Sequence, residues 1–239
     1  VGELPDGEGY EAFEAQHVNI RSRRARLKKY HVPEVQSQKH LRESVRQFKQ
    51  DMEALAQVEL HPNIVRAYDF FKDPDVDDTY YLALELVEGK SLRQLLEEGE
   101  TWTVAESARL LAPVAGALAY VHRQGIVHRN LTPDSIYVTE DGEVRLGDFD
   151  FARVPAIGQT ITKTNVPIVT NKYIAPEQLD NPRTAGKAAD LYSLGAIWYD
   201  LLLGRPEDEP IRHALIARSD LPDLARQILR ELLSTRPDD

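Results

Sequence analysis

The sequence predicts an α+β fold in which short strands around one helix give way, after Gly89, to a mainly helical remainder. Three observations carry this. Alternation through residues 25–30 and the β-rich strings IVRAYDFF (64–71) and TYYLALELV (79–87) have the period-2 pattern of strands. Beyond Gly89, apolar residues recur at three- and four-residue spacings behind good helix caps. With 239 residues and 42% apolar content, the chain can build one large domain or two lobes sharing an interface.

Each element has its own signal. Residues 41–58 carry a helical period, from Leu41 to Val58. Ser91 and Thr103 are N-cap residues, and Thr103 with Glu106 forms a capping box ahead of Leu110, Leu111, Val114, Leu118 and Val121. Pro113 is expected to kink that helix, because it lacks an N–H and crowds the preceding turn. IYVT (136–139) and EVRLGDF (143–149) flank Asp141-Gly142, which predicts a hairpin with positive φ at both central residues. From Thr184 to Gly204, Leu191, Leu194, Ile197, Trp198, Leu201 and Leu202 predict a buried helix with a glycine C-cap; Leu221 to Leu233, with Pro222 at its start, predicts another.

Charge and composition exclude several function classes. Twenty-nine Lys and Arg against thirty-nine Asp and Glu give −10, which disfavours general binding to nucleic acid or anionic membranes. The charge is uneven: residues 21–49 hold ten Lys or Arg and two acids, a local +8 that leaves −18 elsewhere. That segment is either a solvated strand and helix face or a surface for phosphate or an acidic partner. Without cysteine there is no disulfide framework, thiolate zinc site or thiol nucleophile, which fits a reducing cytoplasm. The longest uncharged apolar stretch, Leu110 to Val121, is shorter than the roughly 20 residues of a membrane span. With Val1 first, Met52 the only methionine, and no signal or lipidation motif, the sequence reads as part of a longer cytoplasmic protein.

Four strings occur in one order: HPNIV at 61–65, HRNLTPDS at 128–135, DFD at 148–150 and APE at 175–177. With ELVEG at 85–89 and DLYSLG at 190–195, they resemble the protein kinase superfamily, in the style of bacterial Ser/Thr kinases, over essentially the whole chain. The resemblance implies a two-lobed kinase-like fold, a β-rich lobe over 1–86 and a helical lobe over 87–239, and a site for ATP with Mg or Mn.

Phosphoryl transfer needs charge neutralised around a loose transition state and a nucleophile held in line. By the resemblance, Asn130 stands where the family has the aspartate that orients and deprotonates the acceptor hydroxyl; an amide positions but takes no proton. Thr132 replaces the lysine on the γ-phosphate, and Ser135 the asparagine that ligates the second metal. Asp148 matches the metal-holding aspartate and Phe149 the aromatic beside it. Asp150 replaces a glycine and either restricts the backbone or adds a metal ligand. His128 matches a structural support for Phe149, and Arg129 a partner for acidic or phosphorylated groups. The segment from Asp148 to Glu177 carries Thr160, Thr162, Thr164 and Thr170 as possible phosphate acceptors.

In the first lobe, Gly7 and Gly9 of GEGYEA resemble a shortened glycine-rich loop, with Ala12 where a third glycine usually falls. The phosphate-facing strand lysine is Lys28 or Lys29; Lys28 is favoured because Ala25 and Leu27 then face the lobe interior. Its helix partner is Asp51, with Glu53 the runner-up. Glu85 carbonyl and Val87 amide would hold adenine, behind Leu84. Arg26 and Tyr137 fall where the family has small residues above and below the base, and either narrow that slot or stack on the base.

Three functions fit: an impaired pseudokinase that binds nucleotide and regulates or docks a protein partner or neighbouring domains; an active, atypical Ser/Thr kinase using Asp134, Asp148 and Asp150; or a nucleotide-free scaffold.

Overall fold

The structure is a computed structural model. It describes residues 2–7, 10–16, 24–31, 46, 61–76, 79–149, 172–180, 186–203 and 221–234. The described residues divide into two compact units, one up to 61 and from 65 to 88, the other at 62–64 and from 89 onward. These compact units divide at 88/89, two residues from the 86/87 lobe boundary expected from the sequence. Residues 62–64 join the second unit because Ile64 bridges Leu146 and the Asn63 amide donates to the Val144 carbonyl at 2.8 Å.

The first unit is an antiparallel sheet of β1 (Gly2–Gly7), β2 (Tyr10–Gln16), β3 (Arg24–His31), β4 (Ala67–Lys72) and β5 (Thr79–Glu85), in the order β1-β2-β3-β5-β4. Phe70 stacks on Tyr80 and Phe71 on Tyr81, with ring centroids 5.6 and 5.4 Å apart, which ties β4 to β5. The buried residues of β3 are Lys28 and Tyr30, whereas Ala25 and Leu27, expected to face the interior, are half-buried on the opposite face. Of the helix expected over 41–58 only Arg46, which is helical, lies among the described residues.

The second unit contains an antiparallel sheet of β6 (Gly89–Ser91), β7 (Ile136–Thr139) and β8 (Val144–Leu146). Its helices are α1 (Leu92–Glu97), α2 (Val104–Arg123), α3 (Pro176–Asp180), α4 (Lys187–Leu203) and α5 (Asp223–Leu232). Gly89 is required where β6 meets β7: a Cβ there would stand 2.3 Å from the Val138 carbonyl oxygen, a backbone atom that cannot rotate away. Gly89→Ala is therefore expected to cost about 2 kcal/mol or more. A urea midpoint equal to that of the parent would refute it.

Both cap expectations hold. Ser91 with Gln94 and Thr103 with Glu106 form reciprocal capping boxes. The helix α2 continues through Pro113 and ends in a glycine lock: Gly125, at φ 78°, donates to the His122 carbonyl and Ile126 to that of Val121. By length and composition alone α2 is apolar enough to cross a membrane. One face of it is buried through Leu111, Val114, Ala117, Leu118 and Val121, and Trp198 of α4 donates its indole N–H to the buried Ser107 hydroxyl at 2.9 Å.

Two expectations are corrected. In the 139–142 turn only Gly142 has positive φ, so it is a type I turn with a glycine bulge, closed by Gly142 N–H to the Thr139 carbonyl at 2.9 Å. The helix α4 buries Leu194, Ile197, Trp198 and Leu201 as expected, but Leu191 is 42% exposed. The period fails there because α4 is buried on almost every side, through polar Asp190, Ser193 and Asp200 as well.

Candidate functional site

In the first unit the residues singled out by the sequence lie mainly on β3 and at the end of β5. Lys28 lies between Ala12 of β2 and Leu82 of β5 and is fully buried. Lys29 points to the other face, where it forms an ion pair with Glu11 at 2.9 Å. The two lysines left open by the sequence are thus in opposite environments, and only Lys28 is in the interior. Half-buried Arg26 is in register with Glu14 and Leu84. Gly7 closes β1 opposite Tyr10; Gly9, Asp51 and Glu53 lie outside the described residues. The Glu85 amide donates to the Arg66 carbonyl at 2.8 Å, after which Leu86–Glu88 run as irregular backbone that includes Val87. Arg24 pairs with Glu14 and Glu88, so part of the local +8 is met by the unit's own carboxylates.

In the second unit the 128–135 loop is held from below by Asp190 of α4, which is fully buried. Its Oδ1 accepts the Arg129 N–H at 2.7 Å; its Oδ2 accepts the His128 N–H at 2.8 Å and the His122 Nε2–H at 2.7 Å. The His128 ring donates from Nε2 to the Gly147 carbonyl at 2.8 Å, accepts the Asn130 N–H at Nδ1 at 3.4 Å, and packs 4.6 Å from the Phe149 ring. Arg129 and Asp148 take positive φ, 63° and 59°, the non-glycine residues to do so among those described. Such backbone persists where surrounding contacts over-determine it, and it clusters at functional sites.

Within the loop, Ser135 is 1% exposed. Its hydroxyl donates to the Thr132 carbonyl at 2.8 Å and accepts the Thr132 N–H at 3.1 Å, closing a 3-10 turn over Pro133–Ser135. The residue expected to offer an oxygen to a metal also closes the turn. Asp134 accepts from Arg93 Nε at 3.3 Å and from the Thr132 hydroxyl at 3.5 Å. Half-buried Tyr137 stands on β7 opposite Ser91 and Arg145. Asp150 and the four threonines lie outside the described residues, and among those described no cluster of three or more His, Asp or Glu could hold a metal.

A second buried carboxylate, Asp200 of α4, accepts from Lys172 Nζ at 2.6 Å and from the Tyr173 hydroxyl at 2.5 Å. Burial and the neighbouring Asp200 raise the Tyr173 hydroxyl well above its ordinary value and keep it a donor. Burial likewise raises Asp200, against the lowering effect of Lys172 and Tyr173. Ser193 of α4 donates to the Tyr173 carbonyl at 2.6 Å. Residues 172–175 are thereby fastened to α4.

A family model described as "Protein kinase domain" matches residues 6–233. The chain belongs to the protein kinase family. It is 36% identical over 156 residues to a probable serine/threonine-protein kinase of Streptomyces coelicolor, covering 63% of this chain and 23% of that protein. It is 32% identical over 163 residues to the serine/threonine-protein kinase PrkC of Bacillus subtilis, covering 68% and 24% respectively. To human calcium/calmodulin-dependent protein kinase type 1B it is 34% identical over 194 residues, covering 74% of this chain and 54% of that kinase. The matched region thus spans about a quarter of the bacterial relatives and about half of the mammalian one.

In this kinase domain the loop's scaffold residues came largely from apolar context and not from the chemistry-bearing string. Asp190 stood in the quoted string DLYSLG, yet its role was missed; an acidic residue inside an otherwise buried helix was the available signal. Asp200, in a second such position, was missed for the same reason. Gln178 had no sequence signal: it follows APE directly and looks like an ordinary helix residue.

Proposed function

We propose that this kinase domain is impaired in phosphoryl transfer and acts as a nucleotide-binding regulatory or interaction module, in the cytoplasm, on a protein partner or the neighbouring domains of its parent. One observation carries the reading: the 128–135 loop is fully built while its chemistry-bearing positions hold other residues. Asn130 takes no proton, Thr132 brings no positive charge to a γ-phosphate, and the Ser135 hydroxyl is engaged within the turn. Asp134, a possible substitute carboxylate, is already paired with Arg93.

The residues present fit a nucleotide in part. Lys28 supplies a buried ammonium position on β3, and Asp148 a half-buried carboxylate in left-handed backbone. A bound Mg or Mn ion would neutralise phosphate charge, and Asp148 is the residue to hold it. A second reading, an active atypical kinase, is favoured by that same Asp148.

Thermal unfolding with ATP alone, ATP with Mg and ATP with Mn, followed by autophosphorylation of the parent chain and of Asn130→Asp, separates these readings. At ATP concentrations about 100 times Kd, the expected shift is roughly 5–10 °C, from about 2.7 kcal/mol of linkage. Phosphate incorporation is expected only after Asn130→Asp. Robust incorporation by the parent overturns the impaired reading, and no shift under any condition leaves the nucleotide-free scaffold.

A further inference from the structure

Arg129 is where the loop's backbone departs furthest from ordinary geometry, and both of its main-chain polar groups are held by side chains. The N–H goes to Asp190 of α4 at 2.7 Å, and the carbonyl accepts from Gln178 Nε2 of α3 at 2.8 Å. Gln178 is 6% exposed. Its Oε1 accepts the Ala175 N–H at 3.2 Å, which turns the amide so that its NH2 group faces the loop.

The peptide plane that follows Arg129 is gripped at both edges. Gln178 holds the Arg129 carbonyl on one edge, and His128 Nδ1 accepts the Asn130 N–H on the other, at 3.4 Å. With φ of Arg129 at 63°, neither grip is met by regular secondary structure, so the plane's orientation depends on these two side chains. Asp190 is itself fixed by His122 and by the His128 amide. Gln178 is fixed by Ala175, at the end of the stretch fastened to α4 through Tyr173 and Ser193.

We propose that Gln178 is a positioning residue: through the Arg129 carbonyl it sets the 129–130 peptide plane and hence Asn130, so that the placement of residues 175–178 is transmitted to the loop. The importance of residue 130 rests on the reading of the loop given above; the grip on Arg129 does not.

The test uses Gln178→Glu, of equal size but without a donor, and Gln178→Met, neutral and of similar volume. Site-resolved amide exchange is expected to show protection at Arg129 and Asn130 falling on the order of tenfold, with the amides of α4 unchanged. Unchanged protection at 129 and 130 in both variants overturns the proposal. So does a loss spread evenly over α3 and α4, which is what a packing role would produce. In the Asn130→Asp chain, adding Gln178→Glu is expected to lower kcat with the ATP KM unchanged. If Asn130→Asp transfers no phosphate, the reading of the loop is what fails, and the exchange result still decides the role of Gln178.

Discussion

Asp190→Ala is expected to lower the stability of the second unit by about 3 kcal/mol or more, and to unmake the loop 62 residues away before it disturbs α4 itself. The side chain is fully buried and accepts three hydrogen bonds, two of them from backbone amides of consecutive residues. Truncation leaves two buried N–H groups without an acceptor, and each such group costs about 1–3 kcal/mol. It also frees Arg129 to leave its left-handed backbone, which gives back part of that loss. In a chain of this size the thermal midpoint is expected to fall by roughly 6–12 °C. Asp190→Asn keeps one acceptor oxygen and should fall between the parent and Asp190→Ala. A loss below about 1 kcal/mol for Asp190→Ala in urea unfolding would show that the carboxylate is not what holds the loop.

Asp200→Ala is expected to cost about 3–5 kcal/mol, because it breaks an ion pair in a place water barely reaches. Lys172 has a side chain only 15% exposed, and Asp200 is fully buried. Removing the carboxylate takes away the oxygens to which the Lys172 ammonium and the Tyr173 hydroxyl donate. The paired substitution Lys172→Met with Asp200→Leu replaces the ion pair by apolar groups and is expected to recover the ion-pair part of the loss but not the part due to the Tyr173 hydroxyl, since desolvation of both charges disappears together while the Tyr173 acceptor stays missing. If the double variant is as unstable as Asp200→Ala, the pair is not the source of the effect.

The legible parts of the fold were those set by local chemistry. The caps at Ser91 and Thr103, the strand over β3 and the helical period of α5 are written within a few residues of where they act, and the structure contains all three. Where long-range packing decides, local signals misled. Leu191 reads as core by spacing but faces solvent, because α4 is enclosed on nearly every side and uses Asp190, Ser193 and Asp200 as internal struts. Positive φ was expected at Asp141 and occurs instead at Arg129, whose main-chain groups are held by Asp190 and Gln178 from far along the chain, and at Asp148.

At the candidate site, motif order singles out Asn130 and Asp148 because those positions belong to contiguous strings. Ser135 shows the limit: a residue type suited to a metal was legible, but its commitment to Thr132 appears only once the turn closes. Lys28 and Lys29 are adjacent and chemically identical, so composition could not separate them; strand parity puts one inside and the other against Glu11.

The distance in sequence between Asp190 and the loop also bears on the order of folding. A left-handed Arg129 has no local reason to form, and the groups that hold it arrive from 49 and 61 residues further along the chain. Closing such loops is entropically slow, so the 128–135 geometry is expected to be acquired late, after α4 has docked. Substitutions that weaken the clamp should therefore accelerate unfolding and leave the folding rate nearly untouched, so the loop's lifetime, more than its formation, is what Asp190 controls.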